Sequence, residues 1–71
     1  MNSPQTVANA RKKIAQLADA SDRGDLVYRQ GVASGWLSAL RLEGLVDRTA
    51  FDTLFTELNA AYQEVGDTLS E

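Results

Sequence analysis

The sequence predicts a small all-α domain of three helices. Its base is an antiparallel hairpin of helices 2 and 3, with helix 1 weakly docked. Three observations predict this. Apolar residues recur at helical spacing in three blocks, and no run of alternating β-branched residues reads as a strand. Start and stop residues separate the blocks. The link between the second and third blocks, residues 41–47, is short, and short links make antiparallel neighbours. The expected helices cover about 4–20, 26–43 and 48–65, with residues 66–71 as a loose tail.

Helix 1 opens at Ser3-Pro4, where Ser caps and Pro has no N–H to waste. Val7, Ala10, Ile14, Leu17 and Ala18 follow in a narrow stripe made partly of Ala, so this helix is expected to bury little. The break is placed at 21–25. Gly24 suits a left-handed residue past a helix end, and Asp25 suits an N-cap. Gly44 is expected to stop helix 2. Asp47 is a good N-cap for helix 3, and Val46 and Phe51 stand at the positions of a hydrophobic staple. The stripe of helix 3 is Phe51, Leu54, Phe55, Leu58, Ala61, Tyr62 and Val65, with Gly66 expected to end it. The expected hairpin core is Leu37, Leu40, Leu42, Leu45, Phe51, Leu54 and Leu58.

Helix 2 is the unusual element. Leu26, Ala33, Leu37 and Leu40 form one apolar face, and Tyr28, Val32, Trp36 and Ala39 form a second. Only Gln30, Ser34, Ser38 and Arg41 are left as a strip for water. A helix apolar over more than half its circumference calls for cover on two sides. Gly31 and Gly35 lie one turn apart on the Tyr28–Trp36 face, and two interior glycines cost about 1 kcal/mol each relative to Ala. Close approach of another helix would offset that. The approaching helix is either a neighbour in the same chain or helix 2 of a second copy. The spacing matches the small-residue motif of membrane helices, but Arg29, Gln30 and Arg41 do not suit a membrane.

At 71 residues the chain makes one domain at most. A chain this short buries only about 60–65% of its unfolded surface, so small domains often need a staple. With no Cys and no His, a disulfide is excluded and a zinc site would need four carboxylates, so no metal or cofactor is expected. Association of chains remains as the staple. Residues 1–5 do not read as a signal peptide, and no stretch approaches the ~18 apolar residues of a membrane span. A cytoplasmic setting is expected.

The net charge of −3 is unevenly spread. All seven basic residues lie in 1–48, while 49–71 holds five acids and no base. Arg11, Lys12 and Lys13 of helix 1 are the natural complement of acidic helix 3, and a partner's basic surface is the alternative complement. Asp52, Glu57 and Glu64 are the candidate charged face. They also form the one set of carboxylates that invites an acid–base reading, but periodicity places them toward solvent with no His, Lys or Cys near in sequence. No Gly-rich phosphate loop is present, so neither catalysis nor a small-molecule substrate is expected. Asp19, Asp22 and Asp25 recur every third residue, whereas a calcium loop needs alternate oxygens and a distal Glu. Arg23-Gly24-Asp25 spells an integrin-type tripeptide that a helix break and cap account for.

Helices 2 and 3 also invite a helix-turn-helix reading, with Leu40, Gly44 and Ala50 near the usual offsets. The reading helix would then present Asp52 and Glu57 to phosphate after a single Arg48, which opposes it. The stretch Leu40–Arg48 resembles the end of a winged-helix reading helix, but no wing follows. Leu40 through Leu58 resembles short helical hairpins that read Leu-rich helix, Gly-Leu-Ile/Val, acid or Ser/Thr, then Phe/Tyr-x-x-Leu. That resemblance implies a small oligomerising or docking module. The expected function is a non-enzymatic protein–protein interaction module, a homodimer through Tyr28, Gly31, Val32, Gly35, Trp36 and Ala39 of helix 2. One alternative is a small acidic inhibitor or adaptor, such as a phage-encoded protein, that binds a basic surface of a host complex. Another is weak DNA binding through Arg11, Lys12 and Lys13.

Overall fold

Ser3 starts the first helix as its type dictates: its Oγ accepts the Thr6 amide at 3.2 Å, and Pro4 takes the first helical position. The computed structural model of the chain describes residues 2–69. Three α-helices follow one another, α1 (Pro4–Ala15), α2 (Arg23–Leu42) and α3 (Arg48–Leu69), with a single 3₁₀ turn at Gln16–Asp19 closing α1. No strand occurs among the described residues. The contact of α2 with α3 is the most extensive, and α1 makes the smaller contacts with each. The result is an elongated bundle with Cα extents of 41 × 17 × 16 Å.

The core is aliphatic. Leu17, Leu26, Leu37, Leu54 and Leu58 are fully buried, and Ala10, Ile14 and Ala33 fill between them. The thin stripe of α1 thus contributes more than its Ala content suggests. The tighter 3₁₀ turn carries Leu17 into the core, while Ala18 is left exposed. The structure moves two expected boundaries. Helix 2 begins at Arg23 rather than near Leu26, because Asp22 is the cap: its Oδ1 accepts the Asp25 amide at 2.8 Å. Asp25 then turns back to accept the Ser21 amide at 3.0 Å, so both acids satisfy free N–H groups of the first turn. Gly24 lies inside the helix without a positive φ. Helix 3 does not end at Gly66. It runs through to Leu69, with Gly66 buried where a side chain would meet Leu26 and Arg23, and Leu69 packs on the core. Of the expected loose tail, 66–69 is helical, and residues 70–71 lie outside the described residues.

The α2–α3 turn is closed at several points. Gly44, at φ +72°, gives its amide to Arg41 O, and Leu45 N–H reaches Leu40 O at 2.9 Å. That is the paired closure of a helix ending on a left-handed glycine. Asp47 caps α3, its Oδ1 accepting the Ala50 amide at 2.8 Å, and staple residue Val46 is fully buried. Leu42 and Leu45, expected in the core, are both exposed. Leu42, still within α2, lies about 140° round the helix from Leu37, and the left-handed turn at Gly44 carries Leu45 away from that face.

Asn2 ties this turn to the start of α1. Its amide donates to Leu45 O at 2.9 Å, its Nδ2 donates to Asp47 Oδ2 at 2.7 Å, and its Oδ1 accepts the Asp47 amide at 2.8 Å. Asn2 itself sits at φ +58°, a conformation that Asn tolerates better than most residues. These bonds hold the Asp47 carboxyl below the usual carboxylate range, the Ala50 amide first and the Asn2 side chain second.

A candidate interaction surface on the second helix

The two apolar faces of α2 meet different fates. Leu26, Ala33 and Leu37 are buried, and Leu40 packs beside them, against α1 and α3. The second face is covered only in part. Tyr28 is 70% exposed, Trp36 39% and Val32 38%, and Gly31, Gly35 and Ala39 are exposed between them. Leu42 extends this apolar surface toward the C-terminal end of the helix. A neighbour within the chain, one of the two ways to cover the glycines, is ruled out among the described residues. A Cβ built on Gly31 or Gly35 would meet nothing within 4 Å.

Across this face the side chains are ordered by size. On a wheel of 100° per residue, Gly31 and Gly35 form one edge, Tyr28 and Ala39 the middle, and Val32 and Trp36 the other edge. The bulky edge borders α1. Lys13 Nζ stands 4.7 Å from the Trp36 ring centroid, a cation–π contact that covers part of the indole and leaves the rest open. A shallow cleft of about 260 Å³ follows, lined by Lys13, Gln16, Asp25, Tyr28, Arg29 and Val32. Its charges are already engaged. Arg29 Nε donates to Asp25 Oδ2 at 3.1 Å, and Arg29 Nη1 donates to Gln16 O at 3.1 Å. The Ser21 amide and then Arg29 hold the Asp25 carboxyl below its ordinary value.

The candidate charged residues of α3 do not form one face. Glu57 pairs with Arg11 through two bonds, Arg11 Nε to Oε1 at 3.0 Å and Nη2 to Oε2 at 2.8 Å. That lowers the pKa of Glu57 and raises that of Arg11. Glu64 is exposed two turns along the same flank, while Asp52 lies on another side of α3, 4.0 Å from Arg48. The basic run of α1 is split likewise: Arg11 faces α3, Lys13 faces Trp36, and Lys12 is exposed. Of the Asp19, Asp22 and Asp25 series, Asp22 and Asp25 serve the start of α2, which also holds the Arg23-Gly24-Asp25 tripeptide within its first turn. A second, shallow groove on the outer side of α1 is lined by Pro4, Val7, Ala8, Arg11, Lys12 and Ala15. Among the described residues no helix is long and apolar enough to cross a membrane.

Sequence reasoning missed the Asn2 tie and the Lys13–Trp36 contact. Each joins residues far apart in the chain, and no local pattern announces such a pair. The chain finds no match among known family models, curated proteins or solved structures.

Proposed function

We propose that this chain is a non-enzymatic protein–protein interaction module that acts as a homodimer through the outer face of α2. One observation carries this reading: Tyr28, Val32 and Trp36 keep 38–70% of their surface exposed beside two glycines that the chain itself leaves uncovered. Scattered surface apolar residues need no explanation, but a continuous uncharged face rimmed by polar groups marks an association site. Trp and Tyr are the side chains that most often anchor such contacts. The two glycines make sense if they leave room for a second copy to pack closely against them.

Light scattering coupled to size exclusion tests the reading. A mass of twice 7.7 kDa at micromolar concentration is expected. The Gly35→Leu variant should return to the monomer mass with its helical circular dichroism intact, since the space above Gly35 is open within the chain. A wild-type protein that stays at 7.7 kDa at all concentrations overturns the proposal.

A further inference from the structure

We infer that the two chains of this dimer align their α2 helices in parallel about a twofold axis running along them. This rests on the homodimer reading and specifies its geometry. The size order across the exposed face decides which edges can meet. Its glycine edge carries Gly31 and Gly35, and its bulky edge carries Val32 and Trp36. Each glycine directly precedes a bulky residue, so each pair differs in height by only about 1.5 Å along the helix. In a parallel pair the twofold axis lies between the helices and along them. It turns the bulky edge of one copy onto the glycine edge of the other at the same level. Val32 then meets the mate's Gly31, and Trp36 meets the mate's Gly35. In an antiparallel pair the axis is perpendicular to the helices. Bulky edge then meets bulky edge, and the glycine edges face each other across a gap.

Charge leads to the same choice. Asp25 and Glu43 lie on the bulky edge near opposite ends of the helix. An antiparallel pair centred on this face sets Tyr28 level with the mate's Ala39, which brings Glu43 beside the mate's Asp25, twice over. Like charges brought together in this way oppose pairing. A parallel pair keeps them at opposite ends. Between these residues the face bears no charge, and the nearest cations, Lys13 and Arg29, are occupied by Trp36 and Asp25 of their own chain. The stretch between Asp25 and Glu43 can therefore be approached by a second copy without like-charge repulsion, unlike acidic α3. The size is adequate as well. Twenty residues make a face about 30 Å long. With Tyr28, Val32, Trp36 and Leu42 available, each copy can remove on the order of 500 Å² from water, which reaches the ~1,000 Å² total of a specific interface.

Because the chain has no cysteine, single-cysteine variants read the orientation directly. Tyr28→Cys and Ala39→Cys are each oxidised alone and then mixed, with light scattering on the reduced proteins to follow the dimer. In the parallel pair each variant forms a covalent dimer by itself. In the antiparallel pair the two thiols of a Tyr28→Cys dimer lie about 16 Å apart along the axis, beyond disulfide reach, and only the mixture cross-links. A pyrene label on Leu42→Cys gives a second measurement that leaves the centre of the face untouched. It yields excimer emission in the parallel pair, and none when the labels are about 25 Å apart in the antiparallel one. Cross-linking of each variant alone, with excimer emission, supports the inference. Cross-linking of the mixture only, with no excimer, overturns the orientation and keeps the dimer. A dimer that gives neither signal uses another surface and overturns both this inference and the proposed interface. A monomer overturns the proposed function itself.

Discussion

Replacing Gly31 and Gly35 by Ala should strengthen the fold and weaken the dimer. Both glycines lie inside α2 without a positive φ, and a Cβ added to either meets nothing in the chain. Nothing in the monomer therefore opposes the gain in helix propensity, which is about 1 kcal/mol per Gly→Ala exchange. For a chain of this length the unfolding entropy is about 0.15 kcal/mol per kelvin, so each exchange should raise Tm by about 7 °C and the pair by about 14 °C. In the proposed parallel dimer the same methyls take the space that the mate's Val32 and Trp36 would fill and must push the two helices apart. The assay is thermal unfolding by circular dichroism over a wide concentration range, with light scattering in parallel. At low concentration, where the chain is monomeric, the double variant should melt higher than the wild type. As concentration rises, the wild-type Tm should climb by mass action while that of the variant stays flat. A dilute variant that melts lower than the wild type would contradict this account. It would mean that the glycines are held by something within the chain.

Three further outcomes follow from the fold. Leu54→Ala removes a fully buried side chain and should cost about 3–5 kcal/mol, enough to leave the chain largely unfolded by circular dichroism at room temperature. Asn2→Ala should lower stability by about 1 kcal/mol or more in a denaturant titration, and Asn2→Gly by less, because Gly keeps the positive φ while losing the same side-chain bonds to Asp47. Asp25, Asp47 and Glu57 all have lowered pKa values in the folded chain. Their contribution is therefore complete above the ordinary carboxylate range near pH 4 and is lost as pH falls below it. Tm should be level between about pH 5 and 7 and decline below about pH 4, and Glu57→Gln should make the decline shallower.

Local chemistry was legible in the sequence, and long-range pairing was not. Ser3, Gly44, Asp47 and Val46 each act through neighbours within a few residues, and each does what its type suggests. The displaced start of α2 is a local ambiguity of another kind. Asp22 and Asp25 are both good caps three residues apart, and the chain uses the first as cap and the second to close the turn behind it. Gly66 has the type of a stop residue, yet α3 continues through it. A neighbour distant in sequence keeps it in the helix, since it packs against Leu26 of α2. Leu42 and Leu45 resemble core by composition, but helical period turns Leu42 to the outer side of α2, and the direction of Leu45 depends on the left-handed φ of Gly44. The candidate face was legible as a pattern, since Tyr28, Val32 and Trp36 share a side of any helix drawn through them. That this side is left bare could come only from how α1 and α3 divide the rest of the circumference.

This division separates folding from association. Among the described residues no polar or charged residue is buried, and no buried side-chain polar atom lacks a partner. The total accessible surface of 4509 Å² is close to the ~4,300 Å² expected of a compact monomer of this mass. The three helices thus close a core without a partner, using one face of α2 only. Stability imposes no need for Tyr28 or Trp36 at exposed positions, nor for glycine at 31 and 35, where Ala would make a better helix. The two glycines and the bare Tyr28 run against the monomer's own interest, Trp36 is held by Lys13 over only part of its ring, and all four agree with one another if a second α2 lies across them. A face needed only for folding would instead be buried against α1 or α3. For the same reason a substitution on this face should move the association constant and leave the cooperativity of unfolding unchanged.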